Sequence, residues 1–322
     1  MRRLALAIGL LTAALGAGES LAAPAPPTPL PPLGTMVHWQ ADKNADPQSY
    51  TDGRLTLTVF RRTQPDGGVK GMMTIAVGWA KVMQLDGAVG VSFAPVDFGV
   101  ARLDASAGGP GVLFTTFTGG AHCCVRVEAA EPLGGAWRRV WVGEFDTDAP
   151  GRLSDLDGDG VADIVMIDDA FDYAFASFAG SRRPPAIFNL RNGVAWNVSA
   201  EPKYRKLFAG DLKDAQAGCT QPAHADDEVN GVCAAFVADA ARLGRLDWAW
   251  PLMLAHYNRK SKDWPDGCKV EPVKGQCPKA QVIAYPDYPT ALKAFLRKQG
   301  YIPSSGAPLS QPVPPRPPPG EG

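Results

Sequence analysis

Hydrophobic and polar positions alternate in short runs over the first two thirds of the chain, and the period then lengthens. Arg54-Leu55-Thr56-Leu57-Thr58-Val59-Phe60, Met73-Thr74-Ile75-Ala76-Val77, Val112-Leu113-Phe114-Thr115-Thr116-Phe117 and Trp137 to Val142 are separated by Gly, Pro and Asp. Alternation bounded by such residues predicts strands. The character changes near Glu201. Beyond it, Val232 to Leu243 and Pro251 to Lys260 carry helix-like spacing, and Pro289 to Gln299 opens on Pro and closes on Gly300. The pattern therefore predicts an α+β chain, with a β-rich domain over 35–200 and a small helical domain over 201–303.

Within the β-rich part a faint repeat of roughly fifty residues is visible. Arg102-Leu103-Asp104 aligns with Arg152-Leu153 and Asp155, and Val112-Leu113-Phe114 then falls on Asp163-Ile164-Val165. The second copy carries Asp155-Leu156-Asp157-Gly158-Asp159-Gly160-Val161-Ala162-Asp163, where the first has only Ala105 to Gly109 after its Asp. Carboxylates at positions 1, 3 and 5 can converge on one hard cation, position 7 offers a carbonyl and position 9 a further carboxylate. The glycines permit the sharp turn between them. Calcium is the expected ion, held by Asp155, Asp157, Asp159 and Asp163 through side chains and by Val161 through its carbonyl. An EF-hand is excluded, because position 12 is Met166 rather than a bidentate Glu.

This spacing, running directly into Ile164-Val165-Met166-Ile167, resembles the calcium loops of FG-GAP and VCBS repeats, the blade units of secreted β-propellers. The resemblance covers about thirty residues, roughly 150–180. It implies a propeller-blade-like β domain with a structural calcium. Because 35–200 is short for a closed ring of four-stranded blades, a partial propeller or an open sandwich is expected as readily as a complete one.

The ends of the chain speak to compartment. Arg2 and Arg3 precede an apolar stretch from Leu4 to about Leu15, and Ser20-Leu21-Ala22 offers small residues for cleavage after Ala22. This reads as a signal peptide over 1–22 and predicts a periplasmic or secreted protein. No later apolar run approaches the roughly 20 residues that cross a bilayer. Residues 23–34 and 304–322 are Pro-rich and read as a linker and a disordered tail. With 32 Lys+Arg against 33 Asp+Glu, the net charge of −1 gives nucleic-acid binding no support.

Six cysteines in an exported chain predict disulfides. Local pairing of Cys219 with Cys233 and of Cys268 with Cys277 is the economical expectation, and crossed pairing among the four is the alternative. Cys123 and Cys124 are then left to form a vicinal bridge, to stay reduced or to bind metal. Neighbouring Cα atoms are about 3.8 Å apart across a trans peptide, below the usual disulfide range. A structural role is expected for this pair. His122 beside it completes neither a zinc set nor a nucleophile's base at a known spacing.

Two further features bear on function. Asp168, Asp169 and Asp172 stand among Phe171, Tyr173 and Phe175, and paired carboxylates with aromatics are what a glycoside hydrolase uses. His38, His224 and His256 are scattered, and no Walker, dinucleotide or nucleophile-elbow fingerprint occurs. In the helical part, Glu228 to Ala240 followed by Trp264 and Cys268 resembles in outline the small cysteine-bridged helical domains of secreted lysozyme inhibitors. The chain departs from that outline at Trp248-Ala249-Trp250-Pro251. The reading is of an exported calcium-binding protein that acts on a protein or carbohydrate ligand by binding. A hydrolase of polysaccharide or cell-wall material using the acids near 168–172 is the alternative, and a lysozyme-inhibitor-like interaction protein the second.

Overall fold

Chain order and spatial order coincide within each of three groups of four strands in the β half. After β1 (Thr28–Pro29) and β2 (Met36–Trp39) come three successive antiparallel meanders. The first is β3 (Gln48–Thr51), β4 (Leu55–Thr63), β5 (Val69–Val77) and β6 (Ala80–Gly90). The second is β7 (Val96–Ala101), β8 (Gly111–Phe117), β9 (Val125–Leu133) and β10 (Ala136–Phe145), and the third β11 (Arg152–Ser154), β12 (Asp163–Ile167), β13 (Pro185–Arg191) and β14 (Val194–Asn197). The helical part follows with α1 (Arg205–Thr220), α2 (Val229–Arg242), α3 (Leu246–His256), the small ribbon β15 (Gly267–Cys268) and β16 (Val282–Ile283), α4 (Tyr288–Lys298), and last β17 (Gln311–Pro312). This computed structural model describes residues 26–40, 43, 46–90, 95–121, 123–221, 228–272, 276–302 and 306–315. The expected signal peptide, His122 and His224 lie outside the described residues.

Each meander gains one outside strand and becomes a five-stranded sheet: β1 joins β3, β2 joins β7 and β17 joins β14. The two outermost contributions come from the Pro-rich ends, read in the sequence as linker and disordered tail. Thr28–Pro29 pairs in parallel with Tyr50 and Thr51, and Gln311–Pro312 pairs with Asn197 and Trp196. Proline tolerates an edge strand, where a missing N–H costs no ladder bond, so extended Pro-rich chain can add to an open sheet.

The three sheets stack face to face, and the strand patterns follow from that. In β4, Leu55, Leu57 and Val59 point into the core shared with the second sheet. The intervening positions face out, where Ser49 bonds Thr58 at 2.9 Å and Thr51 bonds Thr56 at 3.0 Å. β8 lies in the middle sheet and is apolar on both faces. Val112 and Phe114 enter the core with the first sheet, whereas Leu113 enters the core with the third. A period of two thus divides one run between two cores. The far face of the third sheet packs Ile187 against Tyr204 and Phe208 of the helical part. The architecture is α+β and mostly sheet, and among the described residues no strands close into a barrel.

The helices gather around α2, whose Cys233 to Ala238 are all fully buried. α1 contributes Phe208, Leu212, Ala215 and Cys219, a stripe at helical spacing. The structure pairs Cys219 with Cys233, which ties α1 to α2, and Cys268 with Cys277, which closes the β15–β16 hairpin. Cys123 and Cys124 are bridged to each other, across a peptide that is cis rather than the trans bond assumed from sequence. No cysteine is free.

Candidate functional site

The faint repeat has a structural counterpart with a third copy. In every meander an aspartate follows the first strand and its carboxylate accepts backbone N–H groups of the loop. Asp52 takes Arg54 N (2.9 Å) and Leu55 N (2.8 Å), and Asp104 takes Ser106 N (2.7 Å). Asp155 takes Gly158 N (2.8 Å), Asp159 N (3.1 Å) and Gly160 N (3.0 Å). Only the third loop adds acids. There the ligand oxygens of Asp155, Asp157 and Asp159 all lie within 4.8 Å of one another.

The loop backbone is shaped for this convergence. Gly158 and Gly160 have φ of 80° and 79°, a region in which a side chain is strained. Asp157 accepts from Asp159 N (3.3 Å), and Asp159 accepts from Val161 N (2.8 Å). Three carboxylates, two of them exposed, gather on one side of a tight turn. A hard cation with oxygen ligands fits that donor set.

Asp163 is placed differently. It opens β12 with 1 % of its surface exposed. One carboxylate oxygen accepts from Leu156 N (2.8 Å), and the other from Asn189 Nδ2 (2.5 Å) and the Tyr204 hydroxyl (2.7 Å). The structure thus does not bring Asp163 into the cluster of three. Its carboxyl anchors the loop from behind, raised above the ordinary range by burial and drawn back by those hydrogen bonds. Val161 joins the turn through its N–H.

Lys203 was not singled out in the sequence. Its Nζ lies 2.5 Å from Asp157 Oδ2 and 3.8 Å from Glu201. Burial works against ionisation of Asp157, but the hydrogen bond and charge of Lys203 outweigh it and hold the carboxyl below its usual value. Lys203, Tyr204 and Asn189 sit 26 to 46 positions from their partners Asp163 and Asp157, and no local pattern marks them.

The acids after β12 do not form a shared site. Asp168 caps a short 3-10 turn through Ala170 N (3.2 Å) and accepts the Tyr301 hydroxyl (2.8 Å). Asp169 accepts Asp146 N at 2.8 Å. Asp172 is ion-paired with Arg183. Burial raises all three, Asp172 to about 6. Asp172 lines a cleft against α4 and Asp168 a different one, so Asp168 and Asp172 do not face one another across a shared cleft.

Residues 208–300 match the model of the sll0997 C-terminal domain. Over 196 residues the chain is 38% identical to the protein named "Probable thylakoid lumen protein sll0997" of Synechocystis sp., covering 60% of this chain and 57% of that protein. Over 209 residues it is 30% identical to "Uncharacterized protein y4bJ" of Sinorhizobium fredii, covering 62% of this chain and 31% of that one. The chain therefore spans less than two thirds of the length of these curated relatives. No solved structure matches. These similarities correct the FG-GAP and VCBS reading: the matching family model is a different one and falls on the helices. Alternating Asp and Gly are what a tight carboxylate turn requires in any setting, so the spacing carries chemistry without carrying family membership.

Proposed function

We propose that the protein is an exported calcium-binding protein that acts by binding a ligand, with the ion serving structure rather than catalysis. The observation that carries this reading is the convergence of Asp155, Asp157 and Asp159 within 4.8 Å at a turn built on two left-handed glycines. Without a cation these charges repel one another, and Lys203 offsets only part of that repulsion. The calcium would be held by those three carboxylates and the Val161 carbonyl, with Asp163 fixing the loop beneath. Export is supported by the disulfides and by the lumen location in the name of the Synechocystis relative.

A ligand that binds only the folded chain stabilises it by about 2.7 kcal/mol at a hundred times its Kd. Melting in calcium should therefore exceed melting in EGTA by several degrees, with magnesium less effective. Asp159→Ala should remove the difference. Equal melting temperatures in calcium and chelator would overturn the proposal.

A further inference from the structure

We propose that the cleft between the loop after β12, residues 265–272 with Cys277, and α4 binds a neutral oligosaccharide. This names a ligand class for the binding role proposed above and rests on that role, but on none of the calcium-loop residues. The cleft measures about 790 Å³, within the range of small-molecule sites.

Tyr173 stands at its mouth with φ of 55° and 56 % of its surface exposed. Glycine would hold that backbone without strain, and the ring, tilted against Phe178 at 5.6 Å between centroids, leaves the rest of its surface to solvent. Strained side chains of this kind persist where the surroundings fix them for use, and here the Tyr173 amide is held by Ser181 Oγ at 3.2 Å. What the ring offers is a flat apolar face beside a carboxylate.

That carboxylate is Asp172. Its side chain is 3 % exposed and one oxygen faces Arg183, while the other has no hydrogen-bond partner. A buried acceptor without a donor is satisfied by a ligand hydroxyl. Tyr285 also lines the cleft and is pressed against Gly267, where a Cβ would come within 2.3 Å of the tyrosine oxygen, so this second ring is held in place. Asp266, Glu271, Lys269 and Lys298 add two acids and two lysines to the lining, and Arg183 balances Asp172.

A strongly charged ligand gains nothing from such a balanced wall, and an apolar one would strip water from the lysines and acids without replacing their bonds. A sugar ring presents C–H faces to aromatics and hydroxyl edges to carboxylates and amines. The disulfide across the hairpin lowers the ordering cost of binding.

The test is titration of the full chain with hexamers of cellulose, chitin, xylan and starch sugars, followed by calorimetry and run once in calcium and once in EGTA. At least one hexamer should bind. Tyr173→Gly should weaken that binding by about tenfold or more, the scale of one aromatic contact, while leaving melting unchanged or raised because the left-handed turn is relieved. Absence of binding by all four at millimolar sugar, or binding that survives Tyr173→Gly unaltered, would overturn the proposal. The calcium-dependent melting is measured in the same samples, so failure of the cleft and failure of the loop are distinguished.

Discussion

The hydroxyl of Tyr204 donates to Asp163 Oδ1 at 2.7 Å and lies 2.9 Å from Asn189 Oδ1. Through this one phenol the entry into α1 is bonded to the first residue of β12 and to the middle of β13. Burial and then the Asp163 carboxylate hold the Tyr204 proton far more tightly than usual, so the donor persists at any working pH. The acid loop and the helical part are therefore fastened to the same buried point.

Removing that donor should be costly. Tyr204→Phe leaves Asp163 and Asn189 each short of one partner at a buried point, a loss of about 1–3 kcal/mol. Urea denaturation of the variant should show a lower midpoint with an unchanged slope. A midpoint equal to the parent's would mean that water replaces the phenol.

Lys203 should tune calcium affinity. Its ammonium holds Asp157 Oδ2 at 2.5 Å and competes with an incoming cation for that oxygen. The pair is partly exposed and is worth at most about 1 kcal/mol, so Lys203→Gln should tighten calcium binding by no more than about fivefold. Calorimetric titration measures this, and weaker binding in the variant would show that the lysine supports the loop instead of competing.

Stability should fall with rising pH through Asp239. This side chain on α2 is fully buried, and burial followed by the neighbouring Asp211 raises it to about 9, against the pull of Arg182 and Arg242. Protonated, Asp239 can donate to Asp211. The folded state therefore holds a proton that the unfolded chain, with a value of about 3.9, releases. The contribution is complete below about pH 4 and is lost as pH climbs towards 9, at up to about 1.4 kcal/mol per pH unit. Asp172, at about 6, and Glu131, buried beside Asp104 at about 7, act with the same sign over narrower windows. Asp239→Asn keeps the donor without the titration, so its melting temperature should change less between pH 6 and pH 9 than the parent's. Parallel pH profiles would contradict this.

Loss of the Cys219–Cys233 bond, whose halves are 14 residues apart, should destabilise the chain by about 3 kcal/mol, as expected for closing a loop of that length. Because both sulfurs are buried, the paired Ala variant also removes volume from the α1–α2 contact. Non-reducing peptide mapping of the parent should recover this pair and the 268–277 pair, with no crossed product.

The β half was legible because alternation survives in it. The runs at 73–77, 112–117 and 137–142 fall inside β5, β8 and β10, and the run at 54–60 begins one residue before β4. Among helices, 232–243 and 289–299 correspond to α2 and α4, but the spacing over 251–260 predicts a helix from Pro251, which lies instead inside α3, Leu246–His256. α1 went unread although Phe208, Leu212, Ala215 and Cys219 mark its buried stripe; Gly210, Gly218 and many charges dilute the pattern. At the site, the acids that converge are neighbours in sequence and were readable. The spacing places Asp163 among them because it does not reveal that Tyr204 and Asn189, far along the chain, take one of its oxygens and the Leu156 amide the other.

The middle sheet behaves as a wall shared by two rooms. Val112 and Leu113 are adjacent in β8 yet belong to different cores, so trimming one loosens contact with the first sheet and trimming the other loosens contact with the third, the sheet that carries the acid loop and receives the helices. A one-residue slip of that strand would exchange the two sets at once. Errors in this strand cannot stay local, and its pairing register governs how both neighbours meet it.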